Sequence, residues 1–189
     1  ERLLATASTL DQSPRGEPNA GKVTPYVNPA ELARDLQIVS ASLEQHGSGR
    51  VARDRLRGLC RAVEVFGFHL APLDLRQHSA AHERVVTELF RVGARRDGYD
   101  LLDEAERQRW LLEELTLPRL LRSPHAVYSR ETESELKVFD TAAEMQALYG
   151  QDAIATVIVS MTAAPSDLLE ATLLLKEAGL MQLSPQPRL

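Results

Sequence analysis

The run Phe66-Gly-Phe-His-Leu-Ala-Pro-Leu-Asp-Leu-Arg-Gln-His-Ser79 constrains this chain more than any other stretch. Gly67 ends an amphipathic helical pattern, an alternating apolar segment follows, and a helix start comes directly after Arg76. Read with period two, Leu70, Asp74 and Arg76 share one face, and Leu73 and Leu75 share the other. A strand that delivers an arginine to its far end, beside a helix N-terminus, offers an anion a guanidinium fork and free backbone N–H groups. An active-site strand of a (β/α) barrel is built that way.

A second strand is predicted at Ala155-Thr-Val-Ile-Val-Ser-Met-Thr162, β-branched and apolar on both faces, as a parallel strand covered on both sides reads. Ser160 and Thr162 are expected to share a face at its end. Pro165 to Gly179 then reads as a helix with Asp167 in its first turn, Lys176 in its last and apolar residues nearly all round, hence largely buried.

Helical spacing accounts for most of the rest. Residues 1–10 read as a helix tail, and residues 11–27 as a loop or linker rich in Pro and Gly that has the composition of a mobile segment. Asn28-Pro29-Ala30-Glu31 is a helix start, with Leu32, Leu36, Val39 and Leu43 as its stripe. A helix is predicted from about Val51 to Val65, with Leu56, Leu59, Cys60 and Val63 facing inward. Ser79 is expected to cap a third helix with the stripe Val85, Val86, Leu89 and Phe90. Asp103 starts a fourth helix and Ser129 caps a fifth, running to about Tyr149. Two strands and six or seven helices define a helix-rich α/β chain. Two strands cannot complete a sheet, so residues 28–189 read as part of a helix-rich barrel domain of a larger enzyme, a slice of a TIM-like (β/α) barrel.

With 189 residues, a net charge of −5 and 26% charged side chains, the chain has no electrostatic footprint for nucleic acid or an anionic membrane. Its single cysteine, Cys60, excludes an internal disulfide or a cysteine-built zinc site. No apolar run reaches the ~18 residues of a membrane span. A cytoplasmic location is the expectation. The carboxylates Glu131, Glu133 and Glu135 read as a solvated helix face.

Leu73-Asp-Leu-Arg-Gln-His-Ser79, with His82 three residues on, resembles the Leu-Asp-(Ile/Leu)-Arg-Gln-x-Ser-x-x-His signature of phosphoenolpyruvate carboxylase, bacterial type. Val63-Glu-Val-Phe-Gly-Phe-His-Leu70, Val157-Ile-Val-Ser-Met-Thr162, Ser166-Asp-Leu-Leu169 and Leu174-Leu-Lys-Glu-Ala-Gly179 resemble family segments in the same order. The resemblance runs from about Tyr26 to Leu180, and the chain reads as an internal fragment.

It implies carboxylation of phosphoenolpyruvate by bicarbonate, giving oxaloacetate and phosphate, with Mg²⁺ or Mn²⁺ and a homotetrameric assembly. The family's metal ligands, catalytic histidine and mobile loop match no residue here, so the isolated fragment is expected to be inactive. Arg76 is expected to bind the substrate phosphate and to be catalytic. Asp74 is expected to hold the guanidinium, while Gln77, Ser79 and Ser160 are lesser candidates around it. His78 departs from the Glu or Asn more usual at that place, and no metal site is expected at His78 and His82. The alternative is a helical binding or assembly module that kept the scaffold without the chemistry, with Arg76 as an ion-pair partner.

Overall fold

The computed structural model describes residues 1–11 and 23–181, so residues 12–22 of the loop expected across 11–27 lie outside it, as do the last residues. The described chain forms two compact units: Glu1–Leu73 with Glu144–Ala155, and Asp74–Ala143 with the residues from Thr156 onward.

The first unit holds α1 (Arg2–Asp11), α2 (Pro29–Gln45), the short α3 (Gly49–Val51) and α4 (Arg57–Phe66). Asn28 caps α2 as its sequence dictates: Oδ1 accepts from the Glu31 N–H at 2.9 Å, and Pro29 occupies the first turn. Arg2 ties α1 to α2, donating to Glu31 Oε1 at 2.6 Å while its guanidinium lies 4.0 Å from the Tyr26 ring centre. The single helix expected over 51–65 is interrupted. Ala52–Leu56 is π-helical, with Asp54 off helical geometry at φ −97 and ψ −114, and the regular ladder resumes only at Arg57. Gly67 ends α4 at φ +54, a conformation that costs glycine least. The interior is small: Leu32, Leu36 and Val63 are buried, with Tyr26, Leu56, Cys60 and Phe68 around them.

The second unit carries β1 (Asp74–His78), α5 (Ser79–Leu89), α6 (Glu104–Thr116), the greater part of α7 (Arg130–Tyr149), β2 (Thr156–Ser160) and α8 (Pro165–Glu177). The strands pair in parallel, Asp74 opposite Thr156, Arg76 opposite Ile158 and His78 opposite Ser160. Parallel neighbours need a crossover, which the intervening helices supply. The predicted stripe of α5 is met in full, because Val85, Val86, Leu89 and Phe90 are all 0% exposed. They join Leu111 and Leu115 of α6, Leu136 and Phe139 of α7, and Leu173 and Leu174 of α8 in one cluster. Each such side chain contributes about 1.5–3 kcal/mol by leaving water. Phe90 also stacks on Tyr99 with ring centres 5.0 Å apart and meets Trp110 edge-on at 5.4 Å.

Three expectations are corrected. Ser79 is not the cap of α5: β1 stays extended through His78, whose Nδ1 accepts from the Ala80 N–H at 3.1 Å, and Ser79 is the first helical residue. Helix α8 is largely buried as expected, but not by being apolar nearly all round, since its buried face includes Glu170 and Glu177 while Leu168 is exposed. Glu177 is satisfied there by the Leu121 and Arg122 N–H groups at 2.9 and 2.8 Å. The sheet is covered on one face only among the described residues. Leu75, Gln77, Val157 and Val159 are half-buried, whereas Asp74, Arg76, His78, Thr156, Ile158 and Ser160 are exposed.

Candidate functional site at the strand ends

Alternation along β1 puts Asp74, Arg76 and His78 on the open face of the sheet and sends Leu75 and Gln77 to the helix-covered one. Arg76 Nη2 donates to Asp74 Oδ2 at 2.8 Å, with the arginine side chain 71% exposed. An exposed pair of this kind contributes about 0–1 kcal/mol, so Asp74 aims the guanidinium without sequestering it. Among the described residues Arg76 has no other hydrogen-bond partner, leaving most of its five N–H donors free for an anion.

The neighbouring candidates tie the two strand ends together. Ser160 Oγ donates to the Gln77 carbonyl at 3.3 Å, and Ser79 Oγ donates to the Met161 carbonyl at 3.0 Å. Met161 takes a left-handed conformation at φ +57, which turns the chain out of β2. Thr162 therefore lies beyond the strand, and the face it was expected to share with Ser160 ends at Ser160. The structure thus brings Asp74 to Arg76, uses Ser79 and Ser160 as cross-links, and turns Gln77 away from the open face.

Gln77 leads to a residue that the sequence reading missed. Its Nε2 donates to Glu135 Oε2 at 2.8 Å, and its Oε1 accepts from the His78 N–H at 2.8 Å. Glu131 does face solvent, paired with Arg84 at 2.6 Å, but Glu135 is turned inward beside Leu136. The signal was helical spacing: Glu135 stands three residues after buried Thr132 and four before buried Phe139. The other Glu135 oxygen lies 3.7 Å from His82 Nε2.

His82 is fully buried, its ring 6.0 Å from that of Phe139, and neither ring nitrogen has a hydrogen-bond partner. Burial lowers its pKa to about 4, against a small upward pull from Asp167, so the imidazole is neutral near pH 7 and its contact with Glu135 is not an ion pair. Deeper in the same unit, Glu170 accepts from the Tyr99 hydroxyl at 2.8 Å. Burial pushes Glu170 up to about 7 and drives the Tyr99 phenol well above its ordinary range. No group of three or more His, Cys, Asp or Glu side chains among the described residues is placed to hold a metal ion. None of the described helices is long and apolar enough to cross a membrane.

Arg76 stands in the middle of β1, two residues short of the strand end where it was expected. Fold and site together define a helix-rich α/β segment whose parallel strand presents an exposed arginine on its open face, its side chain bonded only to Asp74 among the described residues. A family model described as phosphoenolpyruvate carboxylase matches residues 1–188. The phosphoenolpyruvate carboxylase of Nitrosomonas europaea is 46% identical over 188 residues, 99% of this chain and 20% of that protein. That of Aromatoleum aromaticum is 52% identical over 182 residues, 96% of this chain and 20% of its own length. The chain belongs to the phosphoenolpyruvate carboxylase family, and it spans about a fifth of the length of the curated relatives it matches.

Proposed function

We propose that this chain is one segment of a working phosphoenolpyruvate carboxylase and that Arg76 binds the substrate's phosphate. The observation that carries the reading is the exposed guanidinium on the open face of β1, aimed by Asp74 and otherwise unpaired among the described residues. Arginine suits the task because its charge is permanent and its planar fork bonds two phosphate oxygens at once.

In the reaction, the bicarbonate oxygen attacks phosphorus, the bond from phosphorus to the enol oxygen breaks, and carboxyphosphate and an enolate result. Carbon dioxide released from carboxyphosphate is then captured by the enolate carbon, giving oxaloacetate and phosphate. Arg76 would hold the phosphoryl oxygens in place and offset the charge gathering on them as the bond to the enol oxygen breaks. A divalent metal, Mg²⁺ or Mn²⁺ in the family, would supply enolate stabilisation, but the described residues offer no ligand set that fits one. The same reading makes the assembled enzyme cytoplasmic and homotetrameric, and leaves this segment alone without turnover.

The test is Arg76→Ala in the full-length enzyme, assayed for oxaloacetate with phosphoenolpyruvate, bicarbonate and Mg²⁺. The expected loss in kcat/KM is about 100- to 1000-fold. Kinetics like those of the wild type would overturn the assignment, and a full-length protein with no turnover at all would favour a non-catalytic assembly module.

A further inference from the structure

Behind the strand that carries Arg76 lies a set of polar contacts that phosphate binding does not itself use. The Glu135 carboxylate, only 13% exposed, has one hydrogen-bond partner among the described residues, the Gln77 side-chain amide at 2.8 Å. Gln77 spends its other end on the His78 N–H, and its own carbonyl accepts from Ser160 Oγ. The Gln77–His78 peptide, one residue beyond Arg76, is therefore held from both sides, by Gln77 Oε1 at its N–H and by Ser160 Oγ at its carbonyl.

The groups around Glu135 leave it little alternative. His82 on α5 presents Nε2 at 3.7 Å, beyond hydrogen-bond range. Phe139 on the same helix as Glu135 packs against that imidazole, and Asp167 on α8 contributes only a distant negative charge to it. A mostly buried carboxylate with one strong donor within reach will keep that donor in a fixed orientation.

We infer that Glu135 is a positioning residue for Arg76: acting through Gln77, it fixes the Gln77–His78 peptide, one residue beyond Arg76, and so steadies the strand backbone from which the guanidinium fork is aimed. The inference rests on the reading of Arg76 as the phosphate ligand. Without the carboxylate, the Gln77 amide is free to rotate, the His78 N–H loses its partner, and the Gln77–His78 peptide next to Arg76 keeps only the Ser160 contact. A fork that must meet two phosphate oxygens together is sensitive to such a loss, because small misplacements are costly in a preorganised site.

The experiment measures equilibrium binding of phosphoenolpyruvate by calorimetry in the full-length protein carrying Glu135→Ala, Glu135→Gln, Arg76→Ala, or Glu135→Ala with Arg76→Ala. Glu135→Ala is expected to raise Kd about ten-fold, the effect of losing one well-made hydrogen bond to a charged group. Glu135→Gln keeps a carbonyl for the Gln77 amide and should stay within about two-fold of wild type. In the Arg76→Ala background, Glu135→Ala should add nothing.

The inference is overturned by wild-type binding in Glu135→Ala, by a Glu135→Gln loss as large as that of alanine, or by an equal effect of Glu135→Ala with and without Arg76. Wild-type binding in Arg76→Ala instead overturns the phosphate reading beneath it, whatever Glu135 does. If Glu135→Ala does not fold, Gln77→Met, which leaves the carboxylate in place and removes both its donor and the acceptor of the His78 N–H, must show at least the same ten-fold loss. Unchanged binding in Gln77→Met would overturn the inference equally.

Discussion

The two units solve the problem of burying apolar helix faces differently. In the unit built on β1 and β2, four helices and their connections close over one shared cluster, and Val85, Val86, Leu89, Phe90, Leu111, Leu173 and Leu174 are all fully buried. In the other unit, the buried cluster is Leu32, Leu36 and Val63, at 4–9% exposure and none fully enclosed, while Ile38, Val39, Val51, Leu59, Val65 and Phe66 remain exposed. Both sets of helices carry apolar residues at the spacing of an amphipathic face. An apolar stripe records that a helix needs cover. It does not record that the same unit supplies it.

This contrast can be broken by core truncation. Phe90→Ala should cost about 3–5 kcal/mol, since it removes a ring that stacks on Tyr99 and touches Trp110. Leu36→Ala, in the sparser interior, should fall near 2 kcal/mol, the low end for its class. Amide hydrogen exchange in α5 and α2 reads each cost locally; equal losses would erase the distinction. Gly93→Ala sharpens the point for the dense unit. A Cβ there would lie 2.0 Å from the Leu121 carbonyl oxygen, which is backbone and cannot swing aside. A destabilisation of roughly 1–3 kcal/mol is expected, seen as faster exchange at the end of α5.

The smallest effect is one of pH, and it belongs to the dense unit alone. His82 titrates near 4 when folded and near its ordinary 6.5 when unfolded. The unfolded chain therefore binds the extra proton between those values, so the stability tied to His82 is full above 6.5 and is lost as pH falls towards 4. Glu170 has the opposite sense: its folded value near 7 against 4.5 means that its share is full below 4.5 and is lost as pH rises towards 7. From about 4.5 to 6.5 the two slopes, each roughly 1.4 kcal/mol per pH unit at most, oppose one another. Exchange protection in α5 and α8, corrected for intrinsic rates, should be nearly flat there in the wild type. Glu170→Gln should leave protection that weakens as pH falls, and His82→Gln protection that weakens as pH rises. Flat profiles in both variants would refute the balance.

Local signals made much of this molecule legible. The stripe from Val85 to Phe90, the Asn28 and Asp103 caps and the breaking glycine at Gly67 all depend on neighbours within a few residues. The alternation that pairs Asp74 with Arg76 is equally local. What the sequence reading missed depends on distant chain. Helical spacing turns Glu135 inward, but the partner it meets there, Gln77, lies 58 residues earlier, and three acidic residues at alternate positions hide the difference. His78 takes the cap from Ser79 because the strand pairing extends to Ser160 and holds His78 extended. The cover missing from the second face of β2 follows from which other chain segments meet it, and no period within Thr156–Ser160 encodes that.

The parallel register of β1 and β2 also has a kinetic meaning. Ser79 and Met161, bonded to one another at the strand ends, stand 82 residues apart in the chain. Closing so long a loop costs entropy that only later contacts return, so such pairings form slowly. Helices α5, α6 and α7 lie within that loop and can associate before it shuts. The strand bearing Arg76 is then synthesised before its partner and locked last, with pulse-labelled exchange expected to protect α5 and α6 ahead of β1. The open face that presents Arg76 would come into being only as the final act of folding.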